Sequence, residues 1–231
     1  AHAHGAEWNE QRVGSFGSFG SFSFQASKNM TSGEGGMLIT SDPELAEKAR
    51  AISNQGRRTG GAWYEHQTLG TNARMTGFQS VLLLNQLDRL PGQLAIKMNR
   101  ARHLRGRLSK FPGLTPTPSI LDERVNIHGY HLFSMMYDAK AWSDVSRARF
   151  IEALQAEGVP VTSGYPHPIY RNRLFQEHQH VVTPCSEAEA YCQSSIWLPH
   201  NALLAEQEWI DEVVTAVDKV RNSVDDLCAA A

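Results

Sequence analysis

The sequence is poor in the features that mark several classes of protein. Its three cysteines, Cys185, Cys192 and Cys228, are odd in number and lack CxxC spacing, so neither a disulfide framework nor a zinc site is expected. The 22 Lys and Arg residues nearly balance the 24 Asp and Glu residues, which leaves no basic excess for a nucleic acid or an anionic membrane. Apolar runs such as VLLL at 81–84 are too short to span a bilayer. We therefore expect a cytoplasmic protein without a nucleic-acid or membrane partner.

Ten histidines raise the possibility of a metal site. Several of them occur in pairs, namely His2 with His4, His128 with His131, and His178 with His180. No HExxH motif or set of paired carboxylates accompanies these pairs, which favours structural or surface roles for them. No metal is therefore predicted.

One lysine occurs in an unusual setting. Lys28 lies in SFSFQASKNMTSGEGG, residues 21–36, between an apolar, serine-rich run and a glycine-rich turn. Most lysines are solvated surface charges, but partial loss of water here favours the neutral amine, which can form a Schiff base with an aldehyde such as pyridoxal phosphate. The hydroxyl of Ser23 and the N–H groups of the glycine turn can hold a phosphate. A P-loop is excluded, because Ser27 and Asn29 flank the lysine where GxxxxGK[ST] requires Gly and Ser or Thr.

Strand-like and helix-like segments alternate along the chain, which predicts an α/β protein. The SFGSFGSFSF stretch at 15–24 resembles a flexible linker, but its regularly spaced phenylalanines favour a turn leading into a short strand at 21–25. Proline-rich FPGLTPTPS at 111–119 marks a boundary. We predict a larger domain over residues 1–110 and a smaller α/β domain over residues 111–231.

Two capping boxes predict where helices begin. Ser41 with Glu44 opens a helix that ends at Gly56, and Thr76 with Gln79 opens a second helix. Pro91 should interrupt this second helix, because proline lacks the N–H donor and clashes with the preceding turn.

Four ordered segments resemble one family. SFSFQASKNMTSGEGGMLITSD is similar to the lysine segment of the DegT/StrS sugar aminotransferases, which are pyridoxal-phosphate enzymes of fold type I. AHAHGAEWNEQRVGSFGSFGSF, GTNARMTGFQSVLLLNQLDRL, and GYPHPIYRNRLF with SSIWLPHNALL resemble further segments of that family, in the same order. The resemblance implies the C-terminal part of the large cofactor domain, with a mainly parallel sheet and flanking helices, followed by the smaller C-terminal α/β domain.

The resemblance also implies roles for individual residues. Lys28 becomes the lysine that binds pyridoxal 5′-phosphate covalently, and Ser23 becomes a phosphate ligand. His2 falls where the family has a Gln or His beside the cofactor ring. Asn72 matches an asparagine that reaches the phosphate of the neighbouring subunit, which implies a homodimer with shared active sites.

The same resemblance places an aspartate that binds the pyridine nitrogen just before Ala1. The chain opens on AHAHGAEWN without an initiator methionine. We expect it to be the C-terminal part of a longer aminotransferase, inactive or nearly so when taken alone.

The implied reaction is transamination of a keto-sugar, often nucleotide-linked, or of a keto-cyclitol, with glutamate or glutamine as the amino donor. AHAHGA, MTSGEGG and WLPHNALLA also resemble members that act on cyclitols or make an aminobenzoate. Tyr165 and His167 lie in a proline-rich loop where polar groups can meet substrate hydroxyls, although a turn with packed aromatic rings explains YPHPIY equally well. The alternative function is a non-catalytic binding or regulatory module that keeps the aminotransferase scaffold.

Overall fold

The computed structural model describes residues 1–118, 121–177 and 182–229. Within these ranges the strands are β1 (Glu7–Trp8), β2 (Gln11–Arg12), β3 (Gly20–Ser23), β4 (Gly36–Ile39), β5 (Leu114–Thr117), β6 (Val125–Ile127), β7 (Leu132–Tyr137), β8 (Thr162–Ser163) and β9 (Ser195–Pro199). The α-helices are α1 (Pro43–Ser53), α2 (Gly77–Leu108), α3 (Arg147–Ala156), α4 (Arg173–Gln176), α5 (Ser186–Ser194), α6 (Gln207–Asn222) and α7 (Val224–Ala229). Helices and strands are mixed along the chain, as predicted for an α/β protein.

The first compact unit comprises residues 1–98 and 122–131. It contains the antiparallel sheet β2-β1-β6 and the antiparallel hairpin β3-β4. Its main apolar cluster joins the end of the hairpin to one side of α2 and contains Phe24, Met30, Leu83, Leu90 and Leu94. This cluster fixes the segment that follows β3, which carries Lys28.

The second compact unit comprises residues 99–121 and 132–231. Its antiparallel sheet has the order β5-β7-β9-β8. Tyr137 on β7 stacks on Phe150 of α3 with ring centroids 4.6 Å apart, and Trp142 packs edge-on against the same phenylalanine. The amphipathic helix α6 buries the stripe that contains Ile210 and Val217.

The sheets differ from one expectation. Every strand pair in the described ranges is antiparallel, whereas the resemblance implied a mainly parallel sheet. The β3-β4 hairpin illustrates the physical reason, since a connection of twelve residues without a helix brings the second strand back in the opposite direction. A parallel pair requires a longer crossover connection.

The N-cap of α1 lies one residue later than predicted. Asp42, rather than Ser41, is the N-cap, and its Oδ1 accepts hydrogen bonds from the N–H groups of Glu44 and Leu45 at 2.8 and 3.1 Å. Pro43 occupies the first helical position, where the missing N–H costs nothing. The helix ends at Ser53, three residues before the predicted stop at Gly56.

The capping box of α2 is confirmed. The N–H of Gln79 donates to the Thr76 hydroxyl at 3.3 Å, and the Gln79 side chain accepts from the N–H of Thr76 at 3.0 Å. The predicted break at Pro91 is wrong, because α2 continues through it to Leu108. Leu90 and Leu94 are 4% and 2% exposed on either side of this proline. Their burial offsets the roughly 3 kcal/mol that an internal proline costs.

The phenylalanine-rich stretch is ordered rather than a flexible linker. The strand β3 pairs with β4 from Gly20 with Ile39 to Ser23 with Gly36, so the strand predicted at 21–25 starts one residue earlier and ends two residues earlier. Gly20 is buried, and a Cβ built on it would lie 2.1 Å from the carbonyl oxygen of Gly14. The backbone of residue 14 approaches the start of β3 so closely that it leaves no space for a side chain at residue 20.

The two units do not map directly onto the predicted domains. The helix α2 contributes residues to both units, and residues 122–131 belong to the first. The division at 110/111 stays a prediction for the intact protein.

No helix in the described ranges combines the length and apolar character that crossing a bilayer requires.

The close contact between Gly20 and Gly14 provides a first test. We expect Gly20→Ala to lower the free energy of unfolding by about 2 kcal/mol, because the new methyl group meets backbone atoms that cannot rotate away. Gly17→Ala is the matched control, since nothing lies within 4 Å of its Cβ position. Thermal unfolding of the intact protein measures both. Equal midpoints for the two variants would contradict the ordered turn.

Candidate functional site

Lys28 lies in a short turn that directly follows β3. Its backbone N–H donates to the carbonyl oxygen of Gln25 at 3.0 Å, which closes the turn. The side chain of Gln25 accepts from the N–H and the hydroxyl of Ser27 at 2.8 and 2.7 Å. The Lys28 side chain is half-buried, between the exposed Ser27 and the buried Asn29. The predicted role of its amine stays a prediction.

The helix α2 fastens the residues that follow Lys28. The side chain of Gln86 accepts from the N–H of Thr31 at 2.9 Å and donates to its carbonyl oxygen at 2.7 Å. Met30, between the two fastened positions, is 6% exposed and belongs to the apolar cluster. Polar and apolar contacts therefore both fix the exit of the Lys28 turn.

His4 is the buried polar residue next to Ser23. Its Nε2 lies 2.9 Å from the carbonyl oxygen of Ser23, and since a carbonyl only accepts, Nε2 carries the proton. The ring is 3% exposed and lies between Phe22 and Phe24, with centroids 5.5 and 5.7 Å away. Burial lowers the pKa of His4, the bond to Ser23 opposes this change, and the charge of Lys28 contributes to the lowering. His4 is therefore a neutral, fixed support for the backbone of Ser23.

His2 is the exposed histidine of the cluster. Its ring stacks on that of His131 with centroids 4.1 Å apart. Partial burial lowers the pKa of His2, and the positive charge of Lys28 lowers it further. His2 and Lys28 therefore lie close enough to interact electrostatically, and the predicted place of His2 beside a cofactor ring stays a prediction.

The cluster fits an anionic aldehyde cofactor. Burial is the largest cause of the lowered pKa values of His2 and His4, and the positive charge of Lys28 contributes to both. The Lys28 ammonium is thus the cation of this cluster, and it favours a phosphate group. The Ser23 hydroxyl is half-buried on the preceding strand and accepts a long bond of 3.4 Å from the N–H of Gln25. An amine, a hydroxyl and an imidazole are the groups that hold and orient pyridoxal 5′-phosphate.

An apolar cavity adjoins His4 but does not suit that cofactor. It has a volume of about 520 Å³ and is lined mainly by apolar side chains of β3, β4 and α2, among them Phe22, Met37 and Leu87. The Nδ1 atom of His4, which also lines it, is buried without a hydrogen-bond partner. Arg12, which also lines it, is already paired with Glu7 at 2.9 Å and donates to the carbonyl oxygen of Gly5, so a phosphate would lose its hydration there with little compensation. The candidate site is therefore the Lys28 turn.

Asn72 lies elsewhere in the first unit. It is exposed and forms a backbone bridge with Asn54, at the end of α1. Arg74 donates to the Asn54 side chain at 2.8 Å, which favours an anchoring role for this arginine over a role in binding a donor carboxylate. The predicted role of Asn72 toward a neighbouring subunit stays a prediction.

Tyr165 and His167 belong to the second unit. Tyr165 is 58% exposed and meets the face of Trp197 edge-on, with centroids 4.7 Å apart. His167 lies 3.2 Å from the side-chain oxygen of Asn172. Both rings are held by neighbours yet remain accessible, which is compatible with either interpretation of the loop.

Two observations complete the comparison with the sequence. The role of His4 as a buried support was missed, although its spacing of two residues from His2 and the adjacent Gly5 gave a signal of a constrained turn. In the described ranges no three His, Cys, Asp or Glu side chains lie close enough to hold a metal ion. The pair His178 and His180 lies outside the described residues.

Comparison with known proteins decides the family. The model of the DegT/DnrJ/EryC1/StrS aminotransferase family matches residues 1–218. The chain belongs to this family. Its members depend on pyridoxal phosphate.

Relatives and solved structures support this membership. The chain is 32% identical over 248 residues to the L-glutamine:scyllo-inosose aminotransferase of Streptomyces griseus, covering 97% of this chain and 58% of that protein. The crystal structure of 3-amino-5-hydroxybenzoic acid synthase matches with a TM-score of 0.83 and 28% identity, covering 100% of this chain and 59% of that one. PseC of Helicobacter pylori, an aminotransferase involved in pseudoaminic acid biosynthesis, matches with a TM-score of 0.83 and 27% identity, covering 96% and 58%.

The coverage has a consequence for function. The chain spans 59% or less of the length of these relatives. Family and fold are therefore established for the chain, and the activity of the whole protein is a matter for proposal.

The electrostatic link between His2 and Lys28 gives a second test. In the Lys28→Met variant of the cofactor-free intact protein, we expect the pKa of His2 to rise, because one of the charges that lower it is removed. It should remain below 6.5, since burial is the larger cause. NMR titration of the imidazole resonances measures this. Lys48→Met, which removes an exposed lysine of α1, is the control, and an unchanged His2 titration in Lys28→Met would show that the two side chains are not neighbours.

Proposed function

We propose that the intact protein is a pyridoxal-phosphate-dependent aminotransferase that moves an amino group from glutamine or glutamate to a keto-cyclitol or keto-sugar. The observation that supports this most directly is the half-buried Lys28 near His2 and the neutral His4, directly after the strand that carries Ser23. The family membership supplies the reaction class. Bound pyridoxal phosphate would supply an aldehyde that carries the amino group and a ring that withdraws electrons from the donor's Cα–H bond.

Each residue of the cluster has a proposed task. The Lys28 amine would hold the aldehyde carbon of the cofactor and, when free, would accept and return the proton of the donor's Cα. The Ser23 hydroxyl would donate to the phosphate, and its backbone is held for this task by His4. His2 would contact the cofactor ring, and its packing against His131, tilted by 30°, limits the positions of its own ring.

The charge of the cluster fits the proton transfer. His4 donates through Nε2 to a carbonyl and has a lowered pKa, so it does not compete for the proton that Lys28 moves. A positive field also stabilises the carboxylate of the donor and the phosphate of the cofactor as they approach. These features favour a donor that carries a carboxylate, such as an amino acid.

Asn72 is proposed to reach the cofactor phosphate of a second subunit. Its exposure and its bridge to Asn54 suit a residue presented to a partner. The proposed assembly is therefore a homodimer with shared active sites. The proposed location is the cytoplasm, where free cysteines persist.

The acceptor class rests on the relatives. The Streptomyces griseus relative is named for glutamine and scyllo-inosose, and PseC is named for the biosynthesis of pseudoaminic acid. An inosose carries several hydroxyl groups. Tyr165 and His167 offer a phenol and an imidazole in an exposed loop, and we propose that they contact such hydroxyls.

The Lys28 assignment is tested by trapping. Reduction of the reconstituted intact protein with borohydride should fix the cofactor on the peptide that contains Lys28. In Lys28→Ala this adduct should be absent, and the transamination rate should fall by about 99% or more. Lys48→Ala, an exposed lysine of α1, should retain both. Peptide mass mapping locates the adduct. An adduct on another lysine would overturn the assignment, and failure of the intact wild-type protein to take up cofactor would favour the non-catalytic module.

The acceptor loop is tested by kinetics. We expect Tyr165→Phe and His167→Ala to raise the KM for the acceptor about fivefold while leaving the KM for the donor unchanged, because each removes a hydrogen bond to one substrate only. Arg173→Ala is a control on the neighbouring helix α4, with an exposed side chain paired to Glu177. If the KM values for donor and acceptor change together, the two side chains stabilise the loop and do not contact the acceptor.

A further inference from the structure

A buried lysine on α2 contacts the residue next to Lys28. Lys97 is 1% exposed, and its Nζ donates to the Oδ1 of Asn29 at 3.0 Å. Asn29 is itself 7% exposed and follows Lys28 directly in the chain. A long cationic side chain thus reaches from the helix to the turn that carries the reactive amine.

The Asn29 amide is held at both ends. While Oδ1 accepts from Lys97, Nδ2 donates to the carbonyl oxygen of Gly129 at 2.6 Å. An ammonium only donates and a carbonyl only accepts, so the two bonds fix which end of the amide is oxygen. The Asn29 side chain therefore has one orientation, and the backbone that joins it to Lys28 is constrained with it.

The second bond reaches the segment beside His2. Gly129 lies against the backbone of residues 2–4, and a Cβ built on it would be 3.3 Å from the carbonyl oxygen of His2. His131, two residues further on, stacks on the His2 ring at 4.1 Å. The Asn29 amide therefore links the Lys28 turn to the segment that orients His2.

The position of Lys97 is unusual for a charged residue. It lies in the buried stripe of α2, at the spacing of three and four residues that also buries Leu90, Leu94, Ala101 and Leu104. Burial lowers the pKa of Lys97 to about 8. An apolar residue would occupy this stripe without such desolvation, so a role that depends on the ammonium donor explains the lysine better than packing does.

We propose that Lys97 is a positioning residue for Lys28, acting through Asn29. Together with Gln86, which holds Thr31 from the same helix, it fixes the turn on which the cofactor-binding amine is presented. Gln86 and Lys97 are eleven residues apart, about three helical turns, and therefore lie on the same face of α2. This inference rests on the proposed function of Lys28 and adds a residue outside the cofactor's immediate contacts.

The experiment uses the intact protein reconstituted with pyridoxal phosphate. Two variants interrupt the contact from opposite sides: Lys97→Met removes the donor and keeps the length of the side chain, and Asn29→Ala removes the amide. Arg89→Met is the control, since Arg89 is an exposed basic residue of the same helix whose hydrogen bond stays within it. The measurements are kcat, the KM for the donor, and the pH midpoint of the absorbance change of the bound cofactor.

Both variants should lower kcat about tenfold, because a displaced amine meets the reacting carbon less often. The donor KM should change by less than about twofold, and the absorbance midpoint should shift by about 0.5 pH unit or more. Arg89→Met should match the wild type in all three. A shift of the absorbance midpoint reports on the surroundings of Lys28 itself, which a loss of stability alone does not change.

The contrary outcomes are distinct. A folded Lys97→Met or Asn29→Ala protein with the wild-type midpoint and kcat overturns the inference, and if Lys97→Met does not fold, Asn29→Ala decides alone. Borohydride mapping separates this result from the proposed function. An adduct on Lys28 with unchanged variants refutes only the positioning role, whereas absence of the adduct in the wild type refutes both proposals.

Discussion

The hydrogen bonds between α2 and residues 29–31 determine where the Lys28 amine lies. A lysine side chain has four rotatable bonds, so its use in chemistry depends on how well its backbone is fixed. Gln86 bonds both backbone groups of Thr31, and Lys97 bonds the side chain of Asn29. With Met30 buried between them, the turn has polar and apolar attachments to one helix. The lysine is thus mobile only along its own side chain.

The electrostatics of the site follow from that placement. Lys28, His2 and the buried, neutral His4 lie together, so the site carries positive charge without an excess of protonated groups. Such a field attracts an anionic cofactor and an anionic amino donor, and it says little about a neutral polyhydroxy acceptor. Family membership and the charge of the site therefore constrain the type of reaction more tightly than they constrain the identity of the acceptor. In the proposed function, selection of the acceptor would depend on neutral hydrogen-bonding groups such as Tyr165.

Much of this could be predicted from the sequence, because its signals were local. The Thr76 capping box, the Lys28 segment and the α/β pattern each depend on residues a few positions apart. The break predicted at Pro91 failed because burial on the Leu90 and Leu94 side, which a local rule does not see, outweighs the missing donor. The role of His4 depends on the Ser23 carbonyl, nineteen residues away. Contacts of that separation leave no trace in a short window of sequence.

Lys97 has both a local signal in the sequence and a contact with a distant residue. The heptad-like spacing of buried positions in α2 marks residue 97 as part of the core, and a lysine there is visible as an exception in the sequence alone. Its partner, Asn29, is 68 residues away and could not be identified from spacing. At neutral pH a lysine with a pKa of about 8 is still mainly charged, so this core retains an ammonium rather than a neutral amine. A buried charge costs stability unless polar groups surround it, and the Asn29 oxygen is one such group. The cost of desolvation is thus tied to the one turn whose geometry the chemistry requires, which is where a fold gains most from a rigid polar contact.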